Sequence, residues 1–144
     1  MGLCVKPEMD YVKVSVEGLK YIVAESLVTS VFQDKEVEVL EKFKGKSLEY
    51  TEYEQLIPEI KVAGKAFFVM CDDYVTASDG TGIVHIAPAF GADDNRVCSQ
   101  NGIGFVNPVG LDGRYTTGPW EGRLVTDPEL EIDIIKWLKA NDKL

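Results

Sequence analysis

His85 is the only histidine in the chain, and an acidic pair, Asp93 and Asp94, follows it. An imidazole can exchange protons near neutral pH, and carboxylates can anchor a cation or cap a helix. Pro88 and Gly91 lie between them and interrupt regular structure. The run Gly80-Thr-Gly-Ile-Val-His-Ile-Ala-Pro-Ala-Phe-Gly-Ala-Asp-Asp94 therefore reads as an apolar strand, a rigid bend and a charged helix start, enough for the wall and floor of a small pocket.

The elements around it must do the positioning. On a strand over 83–87, Ile83, His85 and Ala87 share one face and Val84 and Ile86 the other. His85 then enters either the core or a cavity beside the sheet. Asp93 and Asp94 fit dipole complementarity at a helix start over 92–100, which Gly102 can terminate. Gly80-Thr81-Gly82 reads as a turn before the strand, since no Gly-Lys-Ser/Thr follows to make a phosphate loop. A Ser-His-Asp hydrolase lacks its Gly-x-Ser-x-Gly elbow.

Elsewhere, Tyr11 to Val16 alternates with Val12, Val14 and Val16 on one face, Glu17-Gly18 turns, and Lys20 to Ala24 returns as a hairpin. A short helix is expected over 26–32, a further strand over 36–43 and an irregular polar stretch over 45–60. Ala66 to Cys71 suits a buried strand. Residues 104–109 read as extended, with a turn at Leu111-Asp112-Gly113. Asp127 before Pro128 predicts an N-cap and first helical residue, and Leu130, Ile134 and Leu138, widened by Ile135, form an apolar stripe suited to core packing. No repeat or linker divides the 144 residues, so one α/β domain over 1–144, built on a bent sheet or small barrel, is expected.

Composition narrows the chemistry. The net charge of −9 opposes a domain that grips a long nucleic-acid backbone, though not one that reads the end of a strand. Cys4, Cys71 and Cys98 have no Cys-x-x-Cys spacing, which argues against zinc or a disulfide framework and fits idle thiols in a reducing cytosol. One histidine and scattered carboxylates supply no metal set, and no cofactor is expected. No apolar run approaches the length of a membrane span.

The run Gly80 to Asp94 resembles the Gly-Thr-Gly-x-Val-His-x-Ala-Pro strand, turn and loop of the editing domain of isoleucyl-tRNA synthetase. Leu3-Cys4-Val5-Lys6-Pro7 is similar to that family's Leu-Cys-Val-Asn-Pro segment, Val23-Ala24-Glu25-Ser26 to its Ala-Glu element, and Asn107 to Gly113 to its Asn/Cys-Pro-Val-Asp-x-x-Gly turn. Asn95-Arg96-Val97-Cys98 is similar to the cytosolic eukaryotic and archaeal branch, with Asn95 where Tyr is usual. Valyl enzymes carry Lys at the position of His85, and leucyl enzymes usually Met.

The resemblance implies a cytoplasmic, barrel-like α/β editing domain within an ATP-dependent isoleucine–tRNA ligase. It implies hydrolysis of valyl-tRNA(Ile), extending to valyl-adenylate. The partners would be the tRNA 3′ end, the valine moiety and the rest of the synthetase. The need is physical: a pocket for isoleucine rejects valine weakly, and isoleucyl enzymes are the standing example of that limit and of its remedy, a second and smaller sieve. Under the resemblance Asp94 pairs with the α-ammonium, and His85 lines the pocket. Ile83, Ala87, Pro88 and Phe90 are wall candidates, and Gly80, Thr81 and Gly82 belong to the same substrate-binding set; Asp93 is a helix-start residue.

The family's Thr-rich peptide would precede Leu3. The chain reads as sequence from inside a longer protein, with half the site and weak or no activity by itself. Thr116-Thr117-Gly118-Pro119-Trp120 is expected to form a turn with Trp120 packed. Two other readings stay open at this stage, a non-catalytic module that docks the tRNA 3′ end and an editing domain of a valyl or leucyl enzyme.

Overall fold

The computed structural model describes residues 1–144, which form two units, Met1–Tyr53 with Gly64–Gly104, and Glu54–Ala63 with Phe105–Leu144. The first carries β1 (Gly2–Val5), β2 (Asp10–Val16), β3 (Leu19–Ala24), α1 (Val28–Phe32), β4 (Glu38–Lys44), β5 (Val69–Cys71), β6 (Ile83–Ile86) and α2 (Ala92–Gln100). The second carries α3 (Pro128–Ala140).

The alternating valines of β2 pair with β3 across Glu17 and Gly18, both at positive φ (53° and 83°), the backbone that a two-residue hairpin turn demands. β4 pairs on the other side of β2, completing an antiparallel sheet in the order β3-β2-β4. A register shift beside Val14 leaves Leu40 unpaired between Val39 and Glu41. Four charged residues, Glu38, Glu41, Lys42 and Lys44, lie along this edge strand and discourage further pairing.

The second sheet has the order β5-β1-β6, with β1 parallel to β5 and antiparallel to β6. Its register sets Val69, Leu3 and His85 in one row and Cys71, Val5 and Ile83 in another. Apart from His85, these rows join the hairpin valines, Tyr11 and Leu27 in a first core. The opposite face, with Cys4, Met70, Val84 and Ile86, packs on Val97 and Cys98 of α2 in a second core. Apolar side chains on both faces explain why the strands read as nearly unbroken apolar runs. Both sheets remain open at three strands, so the barrel-like alternative is not the form adopted.

Two expected extended runs are shorter than their patterns. Phe67 lies at φ 60°, so β5 begins only at Val69 rather than at Ala66. Residues 104–109 form no strand, because Pro108 lacks a donor and Asn107 Oδ1 accepts from Val109 N (3.0 Å) in an Asx turn.

In the second unit, Asp127 caps α3 by accepting from Glu129 N (2.9 Å), with Pro128 at the first helical position. Leu130 is buried and Ile134 and Leu138 are half-buried, but Ile135 is 46% exposed and does not widen the stripe. Trp120 is buried edge-on against Trp137, ring centroids 5.9 Å apart. Arg123 bridges Asp127 (2.7 Å) and Asp133 (2.6 Å).

Candidate functional site

The turn before β6 is tied inward by its main chain. Thr81 O accepts from Ala24 N (2.9 Å), and Gly82 O accepts from the buried Tyr11 hydroxyl (2.6 Å). Gly82 needs to be glycine twice over: φ is +73°, and a Cβ there would lie 2.5 Å from Ala24 Cβ. Gly80 (φ +66°) shares the left-handed backbone, while Thr81 is exposed. These residues thus fix where β6 starts against the hairpin.

Along β6, Ile83 enters the first core and Ile86 is fully buried in the second. His85 is exposed beside Leu3 and so does not enter the core. Past the strand, Phe90 N donates to Ala87 O (3.0 Å) and closes a turn. Ala87 is half-buried, Pro88 is buried, and Phe90 is 62% exposed.

Helix α2 is stitched to that turn by consecutive side chains. Asp94, half-buried at the third helical position, accepts from Ala87 N through Oδ2 (2.8 Å). Asn95 Nδ2 donates to Pro88 O (3.1 Å). Gly91 leaves room for the Asp94 conformer, because a Cβ there would lie 2.8 Å from Oδ1. Oδ1 makes no hydrogen bond to the protein. One oxygen is therefore used to hold the carboxylate and the other is left to accept, a fit for a cationic donor.

Asp94 reaches the strand end from the α2 side and meets the main chain. No bond joins it to His85, which projects from the face that carries Leu3 and Ile83. The strand rise sets the Cα atoms of His85 and Ala87 roughly 7 Å apart. His85 thus lies on the face of β6 opposite the one that packs on α2, and the structure does not bring it against Asp94.

Sequence reasoning passed over several residues here. Arg96 forms a fork on Asp72 (2.8 and 3.1 Å) and reaches Asp93 (3.3 Å). The Arg96 guanidinium holds the Asp72 carboxyl below the usual carboxylate range. The Asp93–Arg96 spacing on one helix face was a readable signal. Asp72 gave none, because the fold alone brings it near. Tyr74 packs on the second core with its hydroxyl buried and unpartnered, and burial, the Cys4 thiol and the Asp94 carboxylate all push its ionisation up.

Burial disfavours the thiolates: it pushes Cys4 up to about 12 and raises Cys71 and Cys98 as well. Two surface clefts lie away from His85 and Asp94. One of about 650 Å³ is lined by acidic side chains around Lys35, which is paired with Glu17 (2.6 Å). The other, about 430 Å³, lies beside Tyr50, Lys65 and Phe68.

Comparison with known proteins supplies a context for this geometry. The chain is 44% identical over 143 residues, 99% of its length, to the isoleucine–tRNA ligase of Picrophilus torridus. It is 40% identical over 146 residues to the Clostridium kluyveri isoleucine–tRNA ligase, and 38% identical over 144 residues to that of Thermoplasma acidophilum. The chain is a homologue of one segment of the isoleucine–tRNA ligases. It spans 14% of the length of each of these three relatives. No protein-family model matches it. Among solved structures, the crystal structure of GlLeuRS-CP1 superposes with a TM-score of 0.66 at 15% identity, covering 99% of this chain and 75% of that one. The mixed α/β fold with two small sheets is therefore shared with that domain.

Proposed function

We propose that the chain is the editing domain of an isoleucine–tRNA ligase of the eukaryotic and archaeal type, and that it hydrolyses the ester of valyl-tRNA(Ile). In this reading the two units serve as one domain of a longer, cytoplasmic enzyme. The observation that carries the proposal is the Asp94 carboxylate, fixed by Ala87 N at 2.8 Å with Oδ1 unused, in a chain whose whole length matches isoleucine–tRNA ligases.

The α-ammonium of the misattached valine pairs with Asp94 Oδ1, and a charge-assisted hydrogen bond fixes the ester carbonyl for attack by water. Asp94 is the catalytic residue in the sense that it holds the reacting group; no general base is assigned. His85 borders the aminoacyl pocket and sets its size and polarity. Ala87 and Phe90 supply apolar wall, backed by Ile83 in the first core and by buried Pro88, and this wall admits valine and excludes isoleucine by clash. Gly80, Thr81 and Gly82 serve through the strand they anchor.

The test is deacylation by a ligase that carries this chain as its segment. The enzyme should hydrolyse valyl-tRNA(Ile) and spare isoleucyl-tRNA(Ile). Asp94→Ala should lower kcat/KM by on the order of 10- to 100-fold, the worth of one charged hydrogen bond. Robust turnover that survives Asp94→Ala would refute the assignment.

A further inference from the structure

We propose that Arg96 is a positioning residue that acts through Asp94, an inference that rests on the reading of Asp94 as the ammonium anchor. Helix α2 is short, Ala92–Gln100, and only Val97 and Cys98 are buried among its residues. Beyond these two neighbouring core contacts, its first turn is held only by hydrogen bonds, from Ala87 N to Asp94 (2.8 Å) and from Asn95 to Pro88 O (3.1 Å) among side chains, and Asp94 sits in that turn.

The Arg96 fork adds a tie from the helix to the end of β5. Nη1 donates to Asp72 Oδ2 (2.8 Å) and Nη2 to Asp72 Oδ1 (3.1 Å), the planar two-point geometry that a lysine cannot reproduce. Asp72 is itself rigid. It directly follows β5, its main-chain N donates to Val5 O (3.1 Å), and its Oδ1 also accepts from Tyr74 N (3.0 Å). A continuous path runs from the central strand β1 through Asp72 and Arg96 to the first turn of α2. The Asp72 side chain is 17% exposed and that of Arg96 43%, so the fork is sheltered on the Asp72 side alone.

Charge acts in the same direction. Arg96 joins Asp72 (2.8 Å) and Asp93 (3.3 Å), so two carboxylates meet at one guanidinium. Without the guanidinium their mutual repulsion drives the first turn of α2 off the sheet. The Asp94–Ala87 bond opens with it, and a displacement of about 1 Å at an orienting group is costly to rate.

The deciding experiment is a double-mutant cycle on deacylation of valyl-tRNA(Ile) in the ligase carrying the chain. Arg96→Met should lower kcat/KM about 10-fold, and Asp72→Asn, which breaks the fork from the other side, should do the same. Arg96→Lys, which keeps charge without the fork, should fall between Arg96→Met and the parent enzyme. In an Asp94→Ala background, Arg96→Met should change kcat/KM by less than about 2-fold, because its route to the substrate is already gone. Equal losses in both backgrounds, or no loss in the parent, would overturn the inference and leave Arg96 a fold-supporting residue. No loss from Asp94→Ala would instead overturn the reading on which it rests.

Discussion

The two units secure their side chains by different means. Every buried hydrophobic side chain except Trp120 and Leu130 lies in the first unit, where a three-stranded sheet is covered on both faces. Its site is held by bonds between residues far apart in sequence: Tyr11 to Gly82, Ala24 to Thr81, Arg96 to Asp72. The second unit rests mainly on near neighbours, with the Asp127 cap, the Arg123 bridges and the Trp120–Trp137 pair around one helix, and adds one distant ion pair, Lys143 with Glu54. It leaves Ile132 and Ile135 open to solvent (53% and 46%).

That contrast can be broken or sharpened by substitution. The largest effect is expected from Ile86→Ala, which opens a hole where the second core meets the sheet; chemical unfolding should show a loss of about 3–4 kcal/mol. Leu130→Ala in the second unit should cost less, about 2 kcal/mol, because its neighbours on the stripe are half-exposed and can close in. Both tryptophans lie in the second unit, so their fluorescence follows that loss directly. A larger cost for Leu130→Ala would invert the comparison.

Gly82→Ala tests the long-range ties. It forces a Cβ into a left-handed backbone and against Ala24, for an expected loss of about 2–3 kcal/mol and a weakened Tyr11 hydrogen bond. Equal stability of this variant and the parent would show that β6 does not depend on the hairpin for its position.

The smallest effect is expected from acid. Asp72 is held below its ordinary 3.8 by the Arg96 pair, so the folded state favours the carboxylate more than the unfolded chain does. The fork's contribution is therefore complete above 3.8 and fades as pH falls further, through the folded value. Thermal midpoints followed from neutral pH to about pH 3 should fall more for the parent than for Arg96→Met. Asp127 and Asp133, lowered by Arg123, have the same sign in the second unit.

Legibility in the sequence follows the same division. The hairpin, α2 and the capped start of α3 could be read because their signals are local: a valine alternation with a turn, a helix between Gly91 and Gly102, and Asp127 before Pro128. The truncation of β5 at Phe67 and the irregular course of 104–109 could not, since Phe67 is bent by a bond from its N to Met1 O (3.0 Å) and the other stretch by its Asx turn. At the candidate site, the placement of His85 on a strand and of Asp94 at a helix start was readable. The use of one Asp94 oxygen on Ala87 and the Arg96–Asp72 fork were not, because both require the strand end and α2 to be folded together.

The most direct test of Asp94 as an ammonium anchor is binding of a non-hydrolysable valyl-adenosine analogue, with its α-amine free or acetylated, to the ligase carrying this chain. The parent should prefer the free amine by on the order of 10-fold or more, and Asp94→Asn should erase that preference while leaving the acetylated analogue's affinity unchanged. Equal affinity for the two analogues in the parent would contradict the account.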